Sequence, residues 1–238
     1  MNIVIVGNSV PLRVRPSVGE PFPILIEKQM SKKGLFVKCI NQSQGATLIS
    51  HGYRNIDNQI ISHNPSVVIL NYGINEACTR LLPKKLDDWL YIKSKTYLTI
   101  NQFILAKCIS LVRRILNLFR PFLIKSLKLG GWSTGPFFKR MLLIYINEIK
   151  KETNATCIIL TIPNINDRVE KVLPGSKKRI KDFNQIIYDV AKLTNSLILE
   201  VNDLLPIDRV IPEGIHFSEL GHKMIADELE KLIIKINN

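Results

Sequence analysis

From Trp89 to Asn147 the chain has no aspartate and no glutamate, although Lys93, Lys95, Lys107, Arg113, Arg114, Arg120, Lys125, Lys128, Lys139 and Arg140 all fall inside that stretch. These cations supply most of the net charge of +13, and the rest of the chain is close to balanced. Other absences narrow the reading further. The four cysteines (Cys39, Cys78, Cys108 and Cys157) show no CxxC and no metal-like spacing, which excludes a disulfide framework and points to a reducing compartment. No run of about twenty nearly uncharged residues is present, so a membrane-spanning helix is not expected. The apolar run Asn2–Val6 is too short for the core of a signal peptide, so the expectation is a cytoplasmic protein. Repeats and low-complexity linkers are absent too. At 238 residues with 46% hydrophobic content, the chain reads as one domain, 1–238, with a full core.

What is present is an alternation. Short Val- and Ile-rich runs occur at Asn2–Val6, Leu35–Ile40, Ser66–Asn71, Thr156–Ile162 and Ser196–Val201, the pattern of buried parallel strands. Helical periodicity fills the gaps at Pro23–Lys33, Asn55–Ser62, Phe137–Glu152, Lys177–Leu193 and Ser218–Ile236. Such alternation predicts a doubly wound α/β sheet, whose chemistry lies beyond the carboxyl ends of its strands.

An insertion at about 85–135 interrupts this rhythm. Residues 100–129 read as a helix with Lys107, Ser110, Arg114, Asn117, Lys125 and Lys128 on one side and apolar residues on the remainder. Pro121 is expected to break or kink it. Two readings stay open for the segment 96–129. One is a helical cap or self-association surface. The other is an interfacial helix on anionic headgroups, which would make the protein peripheral on the inner membrane face. The continuous apolar face argues against nucleic acid.

Four short blocks fall at the predicted strand ends or before the last helix: Gly7-Asn8-Ser9, then Gly45 within Asn41-Gln42-Ser43-Gln44-Gly45-Ala46, then Gly73-Ile74-Asn75-Glu76, and finally Glu213-Gly214-Ile215-His216. A serine hydroxyl needs an imidazole in reach and a third group to fix the tautomer of that imidazole. Ser9, His216 and Glu213 offer these three parts. In their order the blocks resemble the SGNH hydrolases, also called the GDSL esterase/lipase superfamily. The resemblance implies a three-layer α/β/α sandwich around a five-stranded parallel sheet (flavodoxin-like), here with a helical basic insertion. It also implies Ser9 as nucleophile, His216 as general base, and the backbone N–H groups of Ser9 and Gly45 with the side-chain amide of Asn75 as oxyanion donors. The family pattern has Asp where this chain has Asn8, Glu76 and Glu213. Asn164 and Asn166, after the fourth strand, could face the substrate, whereas His222, His51 and His63 read as structural.

The activity implied is hydrolysis of a small acyl ester, O-acetyl on a carbohydrate or glycan intermediate, through an acyl-serine and with no metal or cofactor. An O-acyltransferase would use the same residues. A catalytically weak relative, serving as a membrane- or partner-binding module through the insertion, is the non-enzymatic alternative.

Overall fold

A computed structural model describes residues 1–12, 19–93, 95, 100–204 and 213–237. Five parallel strands form one sheet in the order β2–β1–β3–β4–β5: β1 (Asn2–Gly7), β2 (Lys38–Asn41), β3 (Val67–Asn71), β4 (Thr156–Leu160) and β5 (Leu197–Leu199). β1 and β3 pair from Ile3↔Val67 to Gly7↔Asn71, and their Val and Ile side chains are fully buried. Burial on both faces is why these strands are continuous apolar runs rather than alternating ones.

Helices cover both faces. α1 (Phe22–Lys32) follows β1, α2 (Ile49–Arg54) and α3 (Ile56–Gln59) follow β2, and α4 (Ile74–Ala77), α5 (Lys84–Lys93), α6 (Ile100–Ser126) and α7 (Gly135–Glu152) lie between β3 and β4. α8 (Asp167–Val172) and α9 (Ser176–Thr194) link β4 to β5, and α10 (Val201–Leu204) and α11 (Glu219–Asn237) follow. α1 packs on α11, and α7 packs on α9 and α2. Phe138, Leu142, Tyr145 and Ile149 recur at helical spacing along α7, as do Ile180, Phe183 and Ile187 along α9, and all are buried.

The strand and helix expectations hold in kind and shift at the ends. β2 begins at Lys38 rather than Leu35, because Lys33, Gly34 and Leu35 donate back to the carbonyls of Met30 and Ser31 to close α1. Phe36 is left 91% exposed. β5 ends at Leu199, since the N–H of Val201 turns to Thr161 Oγ1 at 2.8 Å and α10 starts there. The region expected as one helix over 55–62 is divided between α3 and a 3₁₀ turn at Ile61–His63, with α2 preceding it at Ile49–Arg54.

The insertion departs most from expectation. α6 continues through Pro121 without ending, so the proline costs the helix one backbone hydrogen bond rather than its continuity. Lys128 lies beyond the helix with φ 49°. Ala106, Ile109, Arg113, Leu116, Arg120 and Ile124 make the buried or half-buried side of α6. Arg113 and Arg120, two turns apart, therefore face the domain. The opposite side, with Ile104, Leu111, Ile115, Leu118, Phe119 and Phe122, is exposed, and Lys107, Arg114 and Lys125 are exposed too. No helix among the described residues is long and apolar enough to cross a membrane. Residues 94 and 96–99 of the expected insertion lie outside the described residues.

The chain returns from α6 along the turn after α4. Gly131 bridges Thr79, and Arg80 N–H donates to the carbonyl of Gly130 at 2.9 Å. A Cβ at Gly131 would lie 2.1 Å from the carbonyl oxygen of Glu76, so this approach requires glycine. Arg179 of α9 closes the same corner by donating to the carbonyls of Ala77, Glu76 and Ser133.

Candidate active site

The first strand delivers Ser9 into a turn that its neighbours shape. A Cβ at Gly7 would sit 2.4 Å from the carbonyl oxygen of Asn71, so glycine lets β1 and β3 close together here. Asn8 N–H donates to that carbonyl at 3.1 Å, and Asn8 Oδ1 accepts from Val10 N–H at 2.9 Å. The second contact uses only an acceptor oxygen, which an amide supplies as well as a carboxylate does. Asn8 thus fits a position where aspartate is the family norm.

Ser9 and His216 are 207 residues apart in sequence, yet Ser9 Oγ lies 2.8 Å from His216 Nε2. His216 Nδ1 meets Glu213 Oε1. With the ring proton on Nδ1 held by the carboxylate, Nε2 is left to accept from the serine hydroxyl. The loop carrying these groups is fixed from beneath. Gly214 has φ +91°, and a Cβ there would lie 2.5 Å from Val169 Cγ2 and 2.6 Å from Asn166 Oδ1. Phe217 is buried, and Ser218 Oγ accepts from Gly221 N–H at 3.1 Å to start α11.

The second and third blocks are tied by hydrogen bonds to the end of β1 that carries Ser9. Gln44 N–H donates to the carbonyl of Gly7 at 3.0 Å, and the hydroxyl of Thr47 reaches the carbonyls of Gly7 and Gln44. Gly45 is exposed, and a Cβ on it would meet no atom within 4 Å. Protein packing therefore does not account for this glycine. Among the described residues, neither the N–H of Ser9 nor that of Gly45 donates to a protein acceptor. Asn75 gives one amide hydrogen to the carbonyl of Thr47 at 3.0 Å, which ties the third block to the second and leaves its other hydrogen.

Glu76 is a structural centre of the site. It is fully buried, and its carboxylate accepts from Ile49 N–H at 2.6 Å and from Gly73 N–H at 3.1 Å. One side chain thus pins the start of α2 to the turn that presents Asn75. Burial pushes Glu76 up to about 7, against the backbone donors and Arg80, which hold it down.

Of the remaining candidates, Asn166 caps α8 by accepting from Val169 N–H at 3.0 Å and lies under Gly214, so its role is to support the His216 loop. Asn164 takes part through its backbone N–H, which donates to Asn202 Oδ1 at 2.7 Å. His222 is buried, with Nδ1 accepting from Phe22 N–H at 3.3 Å, and His63 pairs with Gln42 at 3.0 Å. Arg80 is the neighbour that sequence reasoning missed. Its Nη2 reaches Asn75 Oδ1 at 3.4 Å, and the sequence signal was a cation just past the third block. The four cysteines are all free thiols.

No family model matches the sequence, and no curated protein matches it significantly. In structure the chain is similar to the lipase/acylhydrolase of Enterococcus faecalis, with TM-score 0.65 and 17% identity over 98% of this chain and 94% of that one. It is also similar to Axe2, an acetylxylan esterase of Geobacillus stearothermophilus, with TM-score 0.62 and 13% identity over 97% of this chain and 92% of that one. TesA gives TM-score 0.61 and 13% identity over 95% and 94%. At these identities the likeness is one of fold, and over nearly its whole length the chain has the α/β fold of the SGNH hydrolases.

Proposed function

We propose that the protein is a serine ester hydrolase acting through Ser9, His216 and Glu213. The observation that carries this reading is the contact of Ser9 Oγ with His216 Nε2 at 2.8 Å, with Glu213 on the other ring nitrogen. In the first step the Ser9 proton passes to His216 Nε2 while Oγ bonds to the ester carbonyl carbon. The oxygen of the tetrahedral intermediate takes up negative charge, and the N–H groups of Ser9 and Gly45 with the Asn75 amide are the donors we assign to it. Each such donor in a site closed to water is worth about 3–4 kcal/mol. Collapse breaks the C–O bond to the alcohol, which leaves with the proton from His216. Water, deprotonated by His216, then releases the acid and restores Ser9.

The acyl group we assign is small, O-acetyl on a carbohydrate. Likeness of fold to an acetylxylan esterase supports it. Activity on p-nitrophenyl acetate, falling on p-nitrophenyl octanoate, is the expected preference. Ser9→Ala should remove it, leaving only what binding and the oxyanion donors supply. A Ser9→Ala protein that hydrolyses the acetate as fast as the parent would place the chemistry elsewhere. Acetyl appearing on an added sugar in place of free acetate would turn the reading from hydrolysis to transfer.

A second surface carries a reading of its own. The outward side of α6 is apolar, with Leu118 79% and Phe122 67% exposed, and no acid lies in sequence from Trp89 to Asn147. We infer that this side rests on an anionic lipid surface, with Lys107, Arg114 and Lys125 at the headgroups.

A further inference from the structure

Behind Asn75 the fold gathers positive charge. Arg80, from the turn after α4, and Arg113 and Arg120, from the inner side of α6, line a cleft with Asp87, Asn117 and Trp132. Its space of about 50 Å³ suits one tetrahedral anion or a few waters. Among the described residues that line it, three guanidinium groups face one carboxylate, Asp87, which is 3.9 Å from Arg113. Arg80 stacks on the Trp132 ring at 4.3 Å, and its buried Nε has no hydrogen-bond partner. Arg120 donates to Asn117 Oδ1. Burial holds Arg80 below its usual range, against Cys78, Asp87 and Glu76, which raise it. Arg120 is held down by burial and by the fields of Arg80 and Arg113, against Asp87. Like charges brought together at this cost call for an anion between them.

The cleft is joined to the candidate active site by one side chain, because Arg80 both lines it and reaches Asn75 Oδ1. We propose that the Arg80–Arg113–Arg120 cleft binds a phosphate group of the ester substrate, so that the enzyme acts on a phosphorylated acyl ester. The surplus of two positive charges matches the charge of about −1.5 to −2 on a phosphate monoester at neutral pH, and guanidinium forks suit its oxygens. This proposal rests on the hydrolase reading for its catalytic half only. It also gives α6 a purpose, since the insertion supplies two of the three arginines.

The test has a binding arm and a kinetic arm. Inorganic phosphate titrated calorimetrically into the Ser9→Ala protein at pH 7 should bind, and the affinity should fall roughly ten- to hundredfold in Arg113→Ala and Arg120→Ala versions of that protein. No binding, or equal binding in all three, overturns the proposal whatever the protein catalyses. In the kinetic arm, kcat/KM for acetylglycerol phosphate should exceed that for acetylglycerol by a similar factor in the parent, and the ratio should approach one in Arg113→Ala. Equal rates on both esters, or a ratio that survives the substitution, contradict the proposal. Failure of the parent on both esters, with inorganic phosphate still bound, would defeat the hydrolase reading and leave the anion site standing. Inhibition by glycerol phosphate compared with vesicles containing phosphatidic acid, at equal phosphate, identifies the source. Stronger inhibition by vesicles assigns the phosphate to a lipid headgroup, and stronger inhibition by glycerol phosphate assigns it to a soluble ester.

Discussion

Glu213 reaches His216 from one methylene further away than an aspartate would, and Gly214 makes that reach workable by turning the backbone through φ +91°. The meeting of Ser9, His216 and Glu213 was readable in the sequence because each follows or precedes an element whose pattern is strong. Arg80 was not readable in the same way. Its contact with Asn75 depends on the returning segment at Gly130 and Gly131 and on Trp132 stacking over it, and these groups are more than fifty residues from the block they complete. The place of Asn166 beneath Gly214 was not readable for a similar reason, since only the fold brings the two together. If Glu213 fixes the tautomer of His216, Glu213→Gln should lower kcat by orders of magnitude, as aspartate-to-asparagine does in a serine protease triad. Glu213→Asp should retain charge and part of the rate. Steady-state kcat on p-nitrophenyl acetate separates the outcomes, and an unchanged Gln variant would remove Glu213 from the mechanism.

At the scale of the element, α6 shows the limit of periodicity. Its helical character was legible, but which side faces the protein was not, because apolar residues surround most of the helix. Burial of Arg113 and Arg120 decides it, and those two arginines turn inward to meet Asp87 and the cleft at Arg80. The cations left for a lipid surface are therefore Lys107, Arg114 and Lys125, rather than Arg113. Vesicles containing phosphatidylglycerol should pull the protein down at low salt and release it as salt rises, with each cation near the surface worth about 1 kcal/mol. Reversing Lys107, Arg114 and Lys125 to Glu should weaken co-sedimentation by roughly a hundredfold or more. A parent that ignores vesicles at low salt but sediments as a dimer would assign the apolar side of α6 to a second copy of the chain.

At the scale of the whole molecule, the parallel sheet was legible because both of its faces are covered, which leaves long apolar runs in the sequence. Strand and helix ends were less so, since local hydrogen bonds such as those closing α1 set them. Two buried titratable groups contribute to the pH dependence of folding stability with opposite signs. Burial pushes His222 from 6.5 down to about 4, with His216 adding a smaller repulsion. Between those values the unfolded chain binds a proton that the folded chain refuses. Stability from this group therefore falls as pH drops through the window, by roughly 3 kcal/mol in full. Glu76, raised from 4.5 to about 7, binds its proton in the folded state first, so its contribution grows as pH falls from 7 to 4.5. The two largely offset each other between pH 6.5 and 4.5. His222→Gln, which can still accept from Phe22 N–H, should remove one side of that balance. Urea denaturation of the variant should then show stability rising from pH 7 to 5, while the parent changes little. Parallel curves for the two proteins would deny His222 the assigned role.

The central claim is that Ser9 is an activated nucleophile, and covalent labelling tests it most directly. A fluorophosphonate probe should modify the parent at neutral pH, with mass spectrometry placing a single adduct on Ser9 and with labelling lost in both Ser9→Ala and His216→Ala. A folded parent that takes no label, or an adduct at any other residue that persists in Ser9→Ala, would contradict the account.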